Sequence, residues 1–245
     1  MAGLISATVD FQVLVQNFFA KVETGGDSHD MRLGVAVDYY RLNSTRLIKT
    51  FNAIAPYIDK GSTVLELGGL SIFGHFLRGK GCSVHGVKTQ SHDEIEELGL
   101  DSIDAVLCFD VLQGLSIQED REISEDVYFP SAKGIVGDMY RVLKPGGVII
   151  CTARNAASYL AMARIASGLP PTVDRAHLGD YTVKELTDLF EDAGFTVDSL
   201  ETPTGISPLN SDLDLEAAKV HVQAVNGPLD FREPYIVGSF KKPYS

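Results

Sequence analysis

Short apolar runs separated by helical periodicity set the architecture of this chain. Thr63-Val64-Leu65-Glu66-Leu67, Ser83-Val84-His85-Gly86-Val87, Ala105-Val106-Leu107-Cys108-Phe109 and Val148-Ile149-Ile150-Cys151-Thr152 have the length and β-branched content of strands. Residues 71–79 suit a helix, and a helix over about 132–143 places Ile135, Val136, Met139, Tyr140 and Leu143 on one face. It stops at Lys144-Pro145-Gly146-Gly147, where proline sets the first turn position and Gly146 supplies the positive φ of a type II turn. Thr182-Val183-Lys184-Glu185 reads as a capping box, which predicts a helix from Val183 to Gly194. Phe195 to Leu200 reads as a strand, 213–225 as a helix and Tyr235 to Phe240 as a last strand. Strands of this character, alternating with helices, are covered on both faces, so the fold class is α/β with a parallel or mixed sheet.

Two helices lead into this pattern. Residues 6–22 carry Phe11, Leu14, Val15, Phe18, Phe19 and Val22 on one stripe, either a lid or dimer arm or a helix docked on its own core. The second, over about 34–58, shows Leu47, Ile48, Phe51, Ile54 and Ile58 on one face before Lys60-Gly61-Ser62 breaks it. The expected organisation is a helical cap over 1–60 and an α/β domain over 61–245, forming one compact unit.

Composition narrows the function classes. The formal charge of −12 argues against a protein that binds nucleic-acid backbones, while leaving room for a local pocket that takes a small anion. The three cysteines, Cys82, Cys108 and Cys151, are far apart in apolar runs, as buried free thiols would be in a reducing compartment. His29, His85, His92 and His221 lack metal-ligand spacing, so no metal is expected. No apolar run is long enough to span a membrane. Asp10 and Gln12 interrupt the N-terminal segment, which therefore does not read as a signal peptide; a cytoplasmic protein is expected. The acidic runs at 93–97 and 119–126 read as solvated faces.

Three segments together resemble a class I S-adenosylmethionine-dependent methyltransferase. Val64-Leu65-Glu66-Leu67-Gly68-Gly69 is similar to the strand and glycines that open that family's cofactor loop. Asp104 to Leu112 resembles its fourth strand and following turn. Met139 to Gly147, followed by Ile149 to Asn155, resembles its helix, turn and fifth strand. The resemblance covers about residues 35–240 and implies a Rossmann-like sheet, mostly parallel with one antiparallel strand, with S-adenosylmethionine at its carboxyl edge. Cofactor contacts are then implied for Glu66, Gly68, Gly69, Leu70, Lys88, Phe109, Asp110 and Val111.

The chain departs from the family pattern in four places. Leu70 and Ile72 stand where the second and third glycines of the loop belong; a leucine there either points away from the ligand or fills the methionine space. Lys88 occupies the acidic position after the second strand, and an ammonium cannot accept bonds from ribose hydroxyls. Asp93 or Glu94 could substitute for that acid. The span from Lys88 to Ile103 is too short for a full helix and strand, so a short helix over 91–98 and a vestigial or absent third strand are predicted. Gln113 and Gly114 stand where many small-molecule members carry an acid and a histidine. The stretch Gly69 to Gly74 is not a Gly-x-Ser-x-Gly elbow. It is one substitution from a dinucleotide fingerprint, a reading in which the Lys-Pro-Gly-Gly turn has no place.

The long segment 153–182 holds a short helix (Tyr159 to Ser167), Pro170-Pro171 and His177-Leu178-Gly179-Asp180-Tyr181. In small-molecule members of the family this region covers the acceptor. By resemblance His177 is the candidate base for an acceptor hydroxyl, with Asp180 or Tyr181 as its positioner; the alternative is a histidine that packs or caps the loop. Tyr39, Tyr40 and Arg41 could reach over the cofactor. The expected activity is methyl transfer from S-adenosylmethionine to a small-molecule acceptor, most readily an oxygen. The alternative is an inactive methyltransferase-like protein that binds another ligand or serves as a partner subunit. A sheet edge left bare by the missing strand, with the apolar N-terminal helix, would suit a homodimer.

Overall fold

Period-two alternation along the central strands sends two sets of apolar side chains to opposite faces of one sheet. The computed structural model describes residues 43–87, 92–115, 121–124, 127–129, 131–171, 179–203, 213–225 and 227–244. The six strands of the main sheet are β1 (Thr63–Leu67), β2 (Ser83–Val87), β3 (Ile103–Phe109), β6 (Leu143–Arg154), β7 (Thr196–Glu201) and β8 (Tyr235–Lys241). Their order is β2-β1-β3-β6-β8-β7. β2, β1, β3 and β6 are parallel, and β8 runs antiparallel to both β6 and β7, so it is the one reversed strand.

On one face Val64, Val84, Ala105, Leu107, Val148 and Ile150 pack under α1 (Ser44–Ile54) and α2 (Ile72–Gly79), whose Leu47, Phe51, Phe73 and Phe76 are buried. On the other, Leu65, Val106, Cys108, Ile149 and Cys151 meet α4 (Ala132–Val142) and α6 (Val183–Asp192) through Ile135, Met139, Leu186 and Phe190. There the Phe190 and Phe240 rings stack with centroids 3.9 Å apart. A smaller cluster joins α5 (Tyr159–Ala166) to α7 (Leu215–Ala224) through Tyr159, Ala163, Ala218 and Val222.

Several local expectations can be compared directly. The capping box at Thr182 and Glu185 is formed, and Gly146 takes φ +77 within β6, which begins at Leu143 directly after α4. The second leading helix ends at Ile54, earlier than the apolar stripe implied, because Pro56 cannot supply the next helical N–H. Between β2 and β3 the described residues hold only the short helix α3 (His92–Glu96), with no strand, so β2 is the outer strand at that edge. Part of the acidic run at 119–126 enters an antiparallel pair, β4 (Arg121–Ser124) with β5 (Val127–Phe129), separate from the main sheet. The helix expected over 6–22, with Tyr39, Tyr40 and Arg41, lies outside the described residues.

Candidate functional site

The parallel strands end together at the carboxyl edge, where the glycines after β1 meet the turn after β3. Gly68 and Gly69 have φ +88 and +91, a region costly to residues with a Cβ. Both amides donate to Val87 O, at 2.9 and 3.0 Å, which ties the loop to the end of β2. A Cβ at Gly68 would come within 3.2 Å of Val111 Cγ2, whereas a Cβ at Gly69 would meet nothing within 4 Å. The loop thus presents bare backbone to open space on one side and closes against the β3 turn on the other.

Glu66 anchors this loop from below. It is buried, and its carboxylate accepts from Ser71 N at 3.0 Å and from the Ser71 hydroxyl. Burial pushes the Glu66 carboxyl up from its usual range, and the two Ser71 bonds work against that rise. Ser71 in turn caps α2 by accepting from Phe73 N at 3.1 Å. Leu70, between the glycines and this cap, turns into the apolar layer under α2. Its Cγ would stand 2.9 Å from a Cβ at Gly86, and its Cδ2 2.8 Å from one at Gly74. Both glycines are therefore the space that Leu70 occupies, and its side chain leaves the loop's open face clear.

The turn after β3 is held more tightly. Phe109 packs against Phe73 with centroids 4.9 Å apart, which keeps its ring in the α2 layer. Asp110 follows with φ +56, uncommon for a residue other than glycine. Its backbone N–H donates to Thr152 O at 3.0 Å, and its carboxylate accepts from Thr152 Oγ1 at 3.1 Å and from Arg46 Nη1 at 2.6 Å. Arg46 is buried and also stacks over the Tyr235 ring, 4.2 Å from its centroid. α1, β3, β6 and β8 therefore converge on one carboxylate. Gln113 completes the clamp: fully buried, its amide nitrogen donates to Asp110 O at 3.2 Å and its oxygen accepts from Arg154 N at 2.8 Å.

Beside this clamp lies a cleft lined by Arg154, Asn155, Ser158, Leu160, Asp180 and Tyr235, among others. Asp180 thus reaches this cleft. Tyr181 does not: it is buried, and its hydroxyl donates to Leu112 O at 3.4 Å. Burial first, then the nearby Cys151 and Cys108, push its phenol well above the usual tyrosine value. His177 and Lys88 lie outside the described residues. Asp93 and Glu94 are exposed on α3. No cluster of metal-ligating side chains occurs among the described residues.

Of the residues singled out from the sequence, Glu66, Gly68, Gly69, Phe109, Asp110 and Val111 gather at one edge, with Leu70 directed into the core beneath it. Sequence reasoning missed Arg46, Thr152 and Arg154, and noted Gln113 only as a departure from the family pattern. One signal for Arg46 was present: 46, 47, 50, 51 and 54 share a helical face, so an arginine stood within an apolar stripe.

A family model described as a methyltransferase domain matches residues 39–200. No curated protein matches the chain significantly. Among solved structures, a SAM-dependent methyltransferase from Archaeoglobus fulgidus aligns with a TM-score of 0.55 at 16% identity, over 85% of this chain and 99% of that one. A SAM-dependent methyltransferase from Thermotoga maritima gives 0.52 at 15% identity, over 86% and 95%. At these identities the likeness is one of fold.

Proposed function

Because the chain belongs to the methyltransferase domain family, we propose that it methylates a hydroxyl of a small-molecule acceptor, with S-adenosylmethionine as methyl donor. The observation that carries this reading is the open face at Gly69, opposite a β3 turn clamped by Arg46, Thr152 and Gln113 and next to a cleft lined by Arg154 and Asp180.

The residues present fit the cofactor. Gly68 and Gly69 would let the adenosyl portion approach the backbone, Leu70 stays in the core, and Phe109, Asp110 and Val111 would form the facing wall. When bound, S-adenosylmethionine supplies a sulfonium methyl: an O–CH3 bond forms as the S–CH3 bond breaks, leaving S-adenosylhomocysteine and one hydroxyl proton. The chain's own work is positioning. Glu66 fixes the loop through Ser71, and the Asp110 clamp fixes the wall, so an acceptor in the cleft loses little further freedom before reaction. His177 is the proposed base for the hydroxyl proton, with Asp180, on the cleft wall, as its positioner. Tyr181 is assigned instead to holding its loop against Leu112 O.

A second reading, a methyltransferase-like protein without transfer activity, draws on Lys88 at the acidic ribose position. Isothermal titration of the full chain with S-adenosylmethionine and, separately, S-adenosylhomocysteine decides between them. Micromolar binding of both supports methyl transfer; no heat at high micromolar concentration removes it.

A further inference from the structure

The main sheet ends on two edge strands that are protected in different ways. β7, at one edge, pairs with β8 through a register shift between Val197 and Ser199, and an irregularity of that kind turns an edge away from regular pairing. β2, at the other, runs alongside β1 from Ser83 to Val87 without a register shift. Ser83 N donates to Ser62 O at 2.9 Å, and Val87 O accepts from Gly68 N at 2.9 Å, so the odd-numbered residues of β2 turn their backbone groups to the β1 side. Alternate residues of a strand face opposite neighbours, which directs the N–H and C=O of Val84 and Gly86 out of the sheet. No strand lies beyond them among the described residues, and Ser83, His85 and Gly86 are exposed.

One side chain closes this edge. Arg78, in the last turn of α2, donates to Val84 O from both Nη2 at 2.6 Å and Nε at 3.2 Å. A carbonyl has two lone pairs, and two donors from one guanidinium occupy both. The outward groups of β2 are otherwise self-complementary. An antiparallel pair of β2 strands from two copies, centred on His85, would set Val84 of each copy opposite Gly86 of the other. In that ladder half of the bonds end on a Val84 carbonyl, the group Arg78 holds. Pairing would also carry the two guanidiniums into one interface as like charges. We infer that Arg78 is an edge guard: by occupying Val84 O it bars the β2 edge from adding a strand of a second copy of this chain. The bare edge is then not a dimer face unless the Arg78 bonds are broken.

Sedimentation velocity of the full chain over a range of concentrations, with hydrogen exchange followed at the Val84 and Gly86 amides by NMR, tests this. In the wild type both amides should exchange at rates independent of protein concentration. Arg78→Met keeps an unbranched apolar stem and removes every donor. It should associate beyond the wild type as concentration rises, toward a dimer, and its Val84 and Gly86 amides should slow by roughly tenfold or more as it does so. Arg78→Lys, which keeps a charged donor, should restore part of the wild-type behaviour. Far-UV circular dichroism checks that each variant is folded; Arg78→Gln, uncharged and too short to span the same distance, gives the same readout where the methionine variant fails to fold. A wild type whose Val84 and Gly86 amides slow with concentration would overturn the inference. So would a folded Arg78→Met protein that sediments as wild type, or one that associates while those two amides still exchange freely.

Discussion

Leu70→Ala separates the two roles a leucine could play where the family has a glycine. In the structure Leu70 belongs to the layer between α2 and the sheet, against the positions where Gly74 and Gly86 lack side chains. The substitution removes three carbons. At about 0.8 kcal/mol per buried methylene, halved because Leu70 is only partly buried and raised for a void the glycines cannot fill, the loss is about 1–2 kcal/mol. In a chain of this length that lowers Tm by roughly 3–6 °C. Because the side chain faces away from the open side of the loop, S-adenosylhomocysteine affinity should change by less than about twofold, or ~0.4 kcal/mol. Urea unfolding gives the stability term, and calorimetric titration gives the affinity. An alanine variant with wild-type stability and tenfold tighter binding would show that Leu70 had been occupying cofactor space, and the reasoning would fail.

Four further outcomes are expected. Gly74→Ala puts a methyl onto Glu66 Oε2 and 2.8 Å from Leu70 Cδ2, so urea unfolding should show a loss of about 1–3 kcal/mol despite alanine's better helix propensity. Tyr181→Phe gives up one long hydrogen bond to Leu112 O; stability should fall by about 0.5–1.5 kcal/mol and the pH–rate profile should not move, whereas loss of a titrating limb would return the phenol to catalysis. The bonds from Lys241 and then Tyr57 hold the Asp198 carboxyl below its usual range, so its contribution is present above about pH 4 and is lost as pH falls through the lowered value. Asp198→Asn should therefore flatten the acid limb of the unfolding curve below about pH 4, measured by urea titration at each pH. Lys88→Asp restores an acceptor for ribose hydroxyls and should tighten S-adenosylhomocysteine binding roughly tenfold or more; unchanged affinity would mean that the ribose is held elsewhere.

What could be read from the sequence was the part governed by local rules. Alternation in Val64 to Leu67, Ala105 to Phe109 and Val148 to Thr152 gives the sheet and its two faces directly, because a strand covered by helices needs apolar side chains on both sides. The capping box and the positive φ of Gly146 are equally local. The Asp110 clamp was not legible, because it joins Arg46, Thr152 and Gln113 from three elements, and only the tertiary fold decides that they meet. The direction of Leu70 was undecidable for a related reason. It depends on Gly86, sixteen positions away and on a different strand, having no side chain.

Two of the four departures from the family pattern, Lys88 and the short span to Ile103, follow β2 in the chain. No strand lies beyond β2 among the described residues, and by the family resemblance that side would face the adenosine portion, away from the reacting bond. The β3–β6 side, where under the proposed function the methyl would meet its acceptor, is reinforced: Asp110 is anchored by Arg46, Thr152 and Gln113, and Arg154 has both backbone groups bound. Contacts to a part of the cofactor that does not change in the reaction stabilise ground and transition states alike, so losing them weakens binding without slowing transfer from the bound complex. Contacts at the reacting edge act on the transition state through orientation. Under the proposed function, the change at Lys88 is therefore expected to raise KM for the cofactor while kcat is kept, and it is not by itself an argument for lost catalysis.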